Sequence, residues 1–186
     1  RLTLGATIFG VMLSTLHQSA LGALFLLAPG KLHPLWYSPL IPIFFFVSSI
    51  FAGISIVIVE STLSHIAFKD KVEPGHDAHL KKLTVGLAKA GSVVMFTYFG
   101  IKLIGIMHAD GWAYLATPLG LWFLVELLGF VLLPCLLYAR GFVTENVTLI
   151  RWTAFLAIIG IVVNRLNVSI VAFNWQEADR YVPRWS

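Results

Sequence analysis

The sequence predicts an all-α polytopic membrane protein with five transmembrane helices. Of its 186 residues, 58% are hydrophobic and only 12% are charged, and the mean hydropathy is +0.86. A soluble domain of this length cannot bury so much apolar surface, so membrane-spanning helices are the expected class. The apolar residues also fall into five long runs, each with the roughly 20 residues that a helix needs to cross a bilayer.

The five spans are separated by linkers that hold prolines, glycines and charged residues. The first span begins directly after Arg1, and the second follows the linker KLHPLWYSP. The third follows the charged linker KDKVEPGHDAHLKK, which is too short to fold by itself. The fourth begins at Pro118, and the fifth follows ARGFVTENVTLIR. We predict one transmembrane domain, 1–186, with spans at about 3–28, 40–67, 83–107, 118–140 and 150–173.

Basic residues are divided unevenly between the two ends of the spans. Seven fall on one side: Arg1, Lys69, Lys71, Lys81, Lys82, Arg140 and Arg151. Three fall on the other: Lys31, Arg180 and Arg184. Because an excess of Lys and Arg marks the cytoplasmic side, we predict a cytoplasmic N-terminus and a periplasmic C-terminus. Aromatic residues typical of a membrane interface are predicted on the outer side: Trp36, Tyr37, Trp112, Tyr114, Trp175 and Tyr181.

Both ends of the chain are abrupt. Arg1 is followed at once by a full-length apolar span without an initiator methionine, and the YVPRWS terminus stops without a basic tail. These features indicate a segment of a longer chain.

Two charged residues lie deep inside apolar spans. Glu126 is eight residues after Pro118, and Arg165 is nine residues before Asn174. At a rise of 1.5 Å per residue, both are roughly 12–14 Å below the same membrane face. A charge at mid-helix in lipid costs at least about 2.5–3.5 kcal/mol, so a charged residue is expected there only when it is paired, is hydrated or has a function. The matching depth predicts that Glu126 and Arg165 form a pair.

Other polar residues inside the spans extend this pair into a candidate polar track. His17 lies close to the bilayer centre, and Glu60 and Lys89 lie at similar depths nearer the cytoplasmic side. Asn164 and Asn167, three residues apart, share one face of the last span. Such a chain suits proton movement, because histidine titrates near neutrality. The candidate residues for a proton path or for structural ion pairs are His17, Glu60, Lys89, Glu126, Asn164, Arg165 and Asn167.

A structural interpretation explains the same residues. The Glu126–Arg165 and Glu60–Lys89 pairs would then fix the order of the helices, and His17 would be an interhelical hydrogen-bonding residue. Lys102, near the outer interface, is expected to extend its ammonium group to the membrane surface. Pro134 is expected to kink the fourth span.

The sequence offers no ligand set for a metal or a haem. The single cysteine, Cys135, excludes a thiolate-bound metal site. A b-type haem needs two axial histidines at one depth, whereas His17 is central, His65 lies at the cytoplasmic end and the others lie in linkers. We therefore predict no catalytic residue, metal or haem in this segment. The net charge of +4 does not indicate a nucleic-acid partner, because the basic residues flank apolar runs instead of forming one patch.

Several motifs resemble one membrane-protein family: STLHQSALGALFLLAPGKLHPLW (14–36), GISIVIVES (53–61), FLVELLGFVLLP (123–134), NRLNVSIVAFN (164–174) and the YVPRW terminus. They resemble the multi-pass membrane subunit of hydrogenase-2-type nickel–iron hydrogenases, within the NrfD (polysulfide reductase) membrane-subunit family. The resemblance covers essentially the whole chain. Family members look like two four-helix bundles with flanking helices, and this chain resembles the second bundle. The resemblance thus implies four-helix-bundle packing with an additional helix.

The resemblance implies a subunit, not catalytic by itself, of a respiratory complex in the bacterial inner membrane. It implies a periplasmic ferredoxin-like iron–sulfur partner, together with nickel–iron hydrogenase or multihaem catalytic subunits. This subunit would anchor the complex and link electron transfer to the quinone pool, with menaquinone or another quinone bound by the full subunit. Proton translocation has been proposed for such members. The family's quinone pocket is assigned to the first bundle, so no quinone-binding residue is transferred to this segment.

Two functions are compatible with these observations. The first is the redox-complex membrane subunit just described. The alternative is a non-redox polytopic protein, either a transporter or an assembly scaffold. A broken-helix transporter would show Gly- or Pro-interrupted spans in matching positions, and Pro134 is the only strong mid-span breaker in the sequence. Co-purification of an iron–sulfur or multihaem subunit would distinguish the two.

Overall fold

The computed structural model describes residues 2–68, 76–108, 111–173 and 175–176. These residues form five helices that are long and apolar enough to cross a membrane, which confirms the predicted fold class. Some residues that carried sequence predictions lie outside the described residues: Arg1, Lys69, Lys71, Arg180, Tyr181, Arg184 and the YVPRW segment.

The helices follow the predicted order, with bounds that differ from the predicted spans by a few residues. Helix α1 covers Leu2–Leu24 and continues as a 3-10 turn, Phe25–Leu27. Helix α2 covers Ile41–Ala67 and α3 covers His76–His108. Helix α4 covers Pro118–Val143 and α5 covers Val147–Val171. The early start of α3 has a simple reason, since the polar turn HDAHLKK continues the helix beyond the apolar run.

Capping side chains fix where α4 and α5 begin. Thr117 Oγ1 accepts a hydrogen bond from the Gly120 N–H at 3.1 Å, and Asn146 Oδ1 accepts one from the Leu149 N–H at 3.0 Å. Each cap satisfies an N–H group that has no partner within the helix. The two caps lie at opposite ends of the bundle, so each sets the point at which its helix starts to cross.

Helices α2, α3, α4 and α5 pack against one another as a four-helix bundle, and α1 packs along the outside of α2. Only 6% of the most apolar window of α1 is buried, against 28–39% for the other four helices. This arrangement confirms a four-helix bundle with one additional helix. Aromatic side chains form much of the core. The ring of Tyr98 lies 5.7 Å from that of Phe44 and 5.5 Å from that of Phe51, each edge to face.

Two helices widen into π-helical turns where they carry polar residues. Helix α4 is π-helical over Val125–Leu132 and returns to α-helical geometry over Leu133–Val143. Pro134, the predicted kink residue, lies two residues after the end of this π-helical segment. Helix α5 becomes π-helical over Asn167–Val171. Because π-helical turns concentrate at functional sites, they direct attention to Glu126 in the first segment and to Asn167 in the second.

The linker between α1 and α2 folds back onto the bundle. Leu32 forms an isolated antiparallel bridge with Phe173, and the His33 N–H donates to the Ala172 carbonyl at 2.9 Å. Trp36, three residues later, is only 2% exposed. The prediction that Trp36 lies at the membrane interface is therefore wrong, because this bridge carries its side chain into the bundle.

Candidate functional site

The Glu126 carboxylate is the centre of a buried hydrogen-bond network. The side chain is 4% exposed. Its Oε2 accepts hydrogen bonds from Trp36 Nε1 at 3.0 Å and from Asn167 Nδ2 at 2.5 Å, and its Oε1 accepts one from Asn164 Nδ2 at 2.5 Å. Three donors from the outer linker and from α5 thus converge on one acid of α4, which satisfies a charge that would otherwise be costly to bury.

Two further donors fix the orientation of the asparagine amides. Asn167 Oδ1 accepts a hydrogen bond from Trp122 Nε1 at 3.0 Å. Asn164 Oδ1 accepts one from Arg165 Nη1 at 3.5 Å. With each amide oxygen facing an N–H group, each NH₂ group must face Glu126. Every neighbour of the carboxylate in this network is consequently a donor, which is the arrangement that suits an ionised acid.

Arg165 lies beside Glu126 but does not pair with it directly. Its Nη2 donates to Ser48 Oγ at 2.8 Å and to the Phe45 carbonyl at 3.4 Å. Its guanidinium carbon lies 3.7 Å from the centroid of the Phe45 ring, a cation–π contact. Within the part of the chain that the structure describes, Asn164 links the acid to the base. The predicted direct pair is corrected to an asparagine-mediated one, because α2 supplies closer partners for the guanidinium.

Lys102 is a second buried cation near the acid. It is 5% exposed, and its Nζ lies 4.9 Å from the centroid of the Phe44 ring and 5.2 Å from that of Phe123. The expectation that Lys102 extends to the membrane surface is wrong, because its position in α3 directs the side chain between two aromatic rings of the core. The cluster of Glu126, Arg165 and Lys102 therefore carries one negative and two positive formal charges.

Two small cavities adjoin the network. One, of about 10 Å³, touches Ser48, Tyr98, Glu126 and Asn164. The other, also of about 10 Å³, touches Trp36, Tyr98, Lys102 and Asn164. A volume of this size accommodates about one water molecule where polar partners line it. Tyr98 and Asn164 line both cavities and therefore lie between the cavity beside the acid and the one beside Lys102.

The other predicted polar residues do not join this cluster. His17 is exposed on α1, which lies outside the bundle. Glu60 and Lys89 are also exposed, and Lys89 Nζ lies 5.4 Å from the centroid of the Phe142 ring. Between these two residues, both within the described ranges, no ion pair is formed. The structure thus assembles the outer part of the predicted polar track and leaves His17, Glu60 and Lys89 away from it.

Several residues of the cluster were not predicted from the sequence. They are Ser48, Tyr98, Trp122 and Trp36. The sequence predicted Trp36 only as an interfacial residue. One signal was available, since Trp122 precedes Glu126 by four residues and therefore shares its helix face. A buried indole N–H also needs an acceptor, but the sequence does not show that Trp36 is buried.

The described residues do not form a metal site. No group of three or more His, Cys, Asp or Glu side chains comes together among them. Cys135 is buried in the core and its Sγ lies 3.3 Å from the Ser92 carbonyl, which is consistent with a packing role.

The sequence of the chain matches a known protein family. The family model described as "Polysulphide reductase, NrfD" matches residues 2–174. The chain belongs to the NrfD family. This NrfD chain is 52% identical over 187 residues to a protein of Nitratidesulfovibrio vulgaris, covering 100% of this chain and 48% of that protein. It is 28% identical over 179 residues to an Escherichia coli protein named "Probable Ni/Fe-hydrogenase 2 b-type cytochrome subunit", covering 95% of this chain and 44% of that protein.

The NrfD chain spans about half the length of the curated relatives it matches. No solved structure shows a significant match to it.

Proposed function

We propose that this chain is part of the membrane subunit of a respiratory oxidoreductase complex in the bacterial inner membrane. The subunit anchors the complex and links an iron–sulfur partner on the periplasmic side to the quinone pool. Membership of the NrfD family and the name of the Escherichia coli relative support this role. The five membrane-length helices supply the anchor. A nickel–iron hydrogenase is the favoured catalytic partner, since the name of that relative refers to one.

The hydrogen bonding of Glu126 is the observation that carries the mechanistic part of the proposal. A proton that reaches this carboxylate turns one oxygen into a donor, while Trp36, Asn164 and Asn167 all present N–H groups to it. We propose that protonation of Glu126 rotates the Asn164 amide, so that the amide oxygen accepts a hydrogen bond from the new O–H group. Rotation of Asn164 removes the acceptor of Arg165. A proton at Glu126 is thus coupled to a rearrangement of charged side chains, as a proton-translocating subunit requires.

The adjoining cavities support the same mechanism. Each has room for about one water molecule, and Glu126 lines one of them while Lys102 lines the other. Water in these positions would let a proton approach the acid without opening the bundle. We propose the Glu126 cluster as a coupling element and not as a catalytic site.

The relative's name also mentions a b-type cytochrome, which implies a haem. Two axial histidines at one depth would have to hold it. Of the six described histidines, His17 alone is mid-span, on the peripheral helix. His65, His76 and His79 lie near one end of the bundle, and His33 and His108 lie near the other; His76, His79 and His108 belong to α3 and not to linkers as predicted. This donor set does not fit a bis-histidine haem, and we propose that this half of the subunit binds none. Menaquinone or another quinone is proposed for the full subunit.

The proposal is tested with Glu126→Gln in the complete complex. Assembly, reduction of a soluble quinone with hydrogen as donor, and proton release from proteoliposomes are measured together. We expect the variant complex to assemble, and the rate of proton translocation, counted beyond the protons that hydrogen oxidation itself releases, to fall by roughly 10²-fold, the scale of losing one positioned proton-transfer group. Glu60→Gln, a neutral replacement at an exposed acid, is the control and should leave proton translocation unchanged. Normal proton translocation by the Glu126→Gln complex would show that the cluster is structural.

A further inference from the structure

A lipid-facing groove lies between α2 and α5, at the opposite end of the bundle from the Glu126 cluster. Its volume is about 380 Å³, within the range of roughly 300–1,000 Å³ that is typical of small-molecule sites. Apolar side chains dominate its walls: Val59 and Leu63 from α2, and Trp152 and Phe155 from α5. By size and lining, the groove fits a hydrocarbon chain.

Arg151 gives this apolar groove one charged end. It lines the groove and also a neighbouring recess of about 230 Å³, which His65 and Lys81 line as well. The Nε of Arg151 is buried and has no hydrogen-bond partner among the described residues. Such an unsatisfied buried donor is rare in folded proteins and calls for an acceptor. Because Arg151 lines both spaces, it places a cation at the point where the apolar groove meets the recess.

The charges around the recess favour an anion. Lys81 Nζ lies 2.9 Å from Glu145 Oε2, so one acid near the recess is already neutralised. Arg151 remains without a carboxylate partner among the described residues. This end of the bundle is also the predicted cytoplasmic side, where anionic headgroups attract basic residues that lie next to the membrane.

We propose that this groove binds one anionic phospholipid of the adjacent leaflet. An acyl chain lies against Leu63 and Trp152, and the phosphate accepts hydrogen bonds from Arg151, with Lys81 at the rim. A quinone would fill the apolar part but has no negative charge for Arg151. A zwitterionic phospholipid has the phosphate but no net charge to favour it over the bulk membrane. This site does not depend on the redox function proposed above.

Native mass spectrometry of the complete protein, released from detergent, tests the proposal. The protein is titrated with phosphatidylglycerol or phosphatidylcholine that carry identical acyl chains. We expect phosphatidylglycerol to bind about fivefold more tightly, the preference that one basic side chain near an anionic lipid provides. Arg151→Gln should abolish this preference. Arg140→Gln, which removes an exposed arginine outside the groove at the same end of the bundle, should retain it.

A second variant distinguishes lipid binding in the groove from a general effect of charge and from misfolding of Arg151→Gln. Leu63→Trp adds bulk to the apolar wall and keeps Arg151, so it should weaken phosphatidylglycerol binding about as much as Arg151→Gln does. Equal binding of both lipids by the unmodified protein would overturn the proposal without reference to any variant. Equal losses in Arg151→Gln and Arg140→Gln, or a quinone retained in place of phospholipid, would overturn it as well.

Discussion

Trp36 and Glu126 are 90 residues apart in the chain and are joined by a 3.0 Å hydrogen bond from the indole Nε1 to Oε2. The bond ties the linker between α1 and α2 to the π-helical segment of α4. Phe123 packs at the same point, with its ring 5.1 Å from that of Trp36 and nearly perpendicular to it. The outer linker is therefore part of the bundle core, and the buried acid is one of the groups that hold it there.

Trp36→Phe tests how much this bond contributes to stability. The phenyl ring keeps most of the aromatic packing but removes the N–H, which leaves Glu126 with one donor fewer. We expect the free energy of unfolding to fall by about 1–3 kcal/mol, the usual cost of an unsatisfied buried polar group. Thermal unfolding of the purified protein in detergent measures the change. Trp112→Phe is the matched control, because Trp112 is 55% exposed; an equal loss in both variants would contradict the prediction.

A double-mutant cycle tests whether Asn164 and Glu126 act as a unit. Glu126→Gln and Asn164→Ala each disturb the same contact, so their combined effect on the free energy of unfolding should differ from the sum. We expect a coupling free energy of about 1 kcal/mol or more, as is typical of residues within one hydrogen-bond network. Pairing Asn164→Ala with Glu60→Gln gives the control cycle, which should be additive because Glu60 is exposed and outside the network. Additivity in both cycles would show that the Asn164–Glu126 contact carries no energy of its own.

His33 should make the stability of the outer linker depend on pH. Burial lowers the pKa of His33 below its ordinary value of 6.5, and its Nδ1 accepts a hydrogen bond from the Leu35 N–H at 3.2 Å. The rings of Trp36, Tyr114 and Trp175 surround it at centroid distances of 5.5, 5.5 and 4.7 Å. The unfolded chain therefore binds a proton more readily than the folded protein, and the stabilisation from neutral His33 is lost as the pH falls below about 6.5.

The melting temperature measured between pH 7.5 and pH 5 checks this prediction. The contribution of His33 should change by at most about 1.4 kcal/mol per pH unit, and His33→Gln should flatten that part of the profile. His79→Gln serves as the control, since His79 is exposed on α3. A profile that keeps its slope in His33→Gln would assign the pH dependence to other groups.

Depth along a helix was predictable from the sequence, whereas the direction in which a side chain points was only partly so. Counting residues from the helix ends placed Glu126 and Arg165 at one depth. Asn164 and Asn167, which flank Arg165 in the chain, are the residues that the structure brings onto Glu126. The same counting placed Glu60 and Lys89 at one depth, yet both are exposed. The difference lies in the rotation of each helix about its axis. Packing between the helices decides this rotation, and a count of residues along a helix carries no information about it.

The linker contacts could not be predicted, for a related reason. Trp36 and Trp112 both lie in outer linkers, and the sequence gives them the same interfacial assignment. The antiparallel bridge between Leu32 and Phe173 buries Trp36, whereas Trp112 stays exposed. Such a bridge joins residues 141 positions apart, so no local pattern signals it. The position of Lys102 has the same origin, because the aromatic rings that accept its charge come from α2 and α4.

Gly160 tests whether close packing of α4 against α5 is needed to hold the cluster in place. A Cβ at this position would lie 2.7 Å from the Cβ of Phe130 and 2.9 Å from its carbonyl oxygen, so the two helices would have to separate. We expect Gly160→Ala to lower the free energy of unfolding by about 1–3 kcal/mol, as over-packing of a core does. Gly53→Ala is the control, because nothing lies within 4 Å of its added Cβ and alanine favours the helix. Thermal unfolding measures the difference. Gly160→Ala should melt at a lower temperature than the unmodified protein, and Gly53→Ala at the same temperature or a higher one. Indistinguishable melting temperatures would mean that α4 and α5 can move apart without a loss of stability.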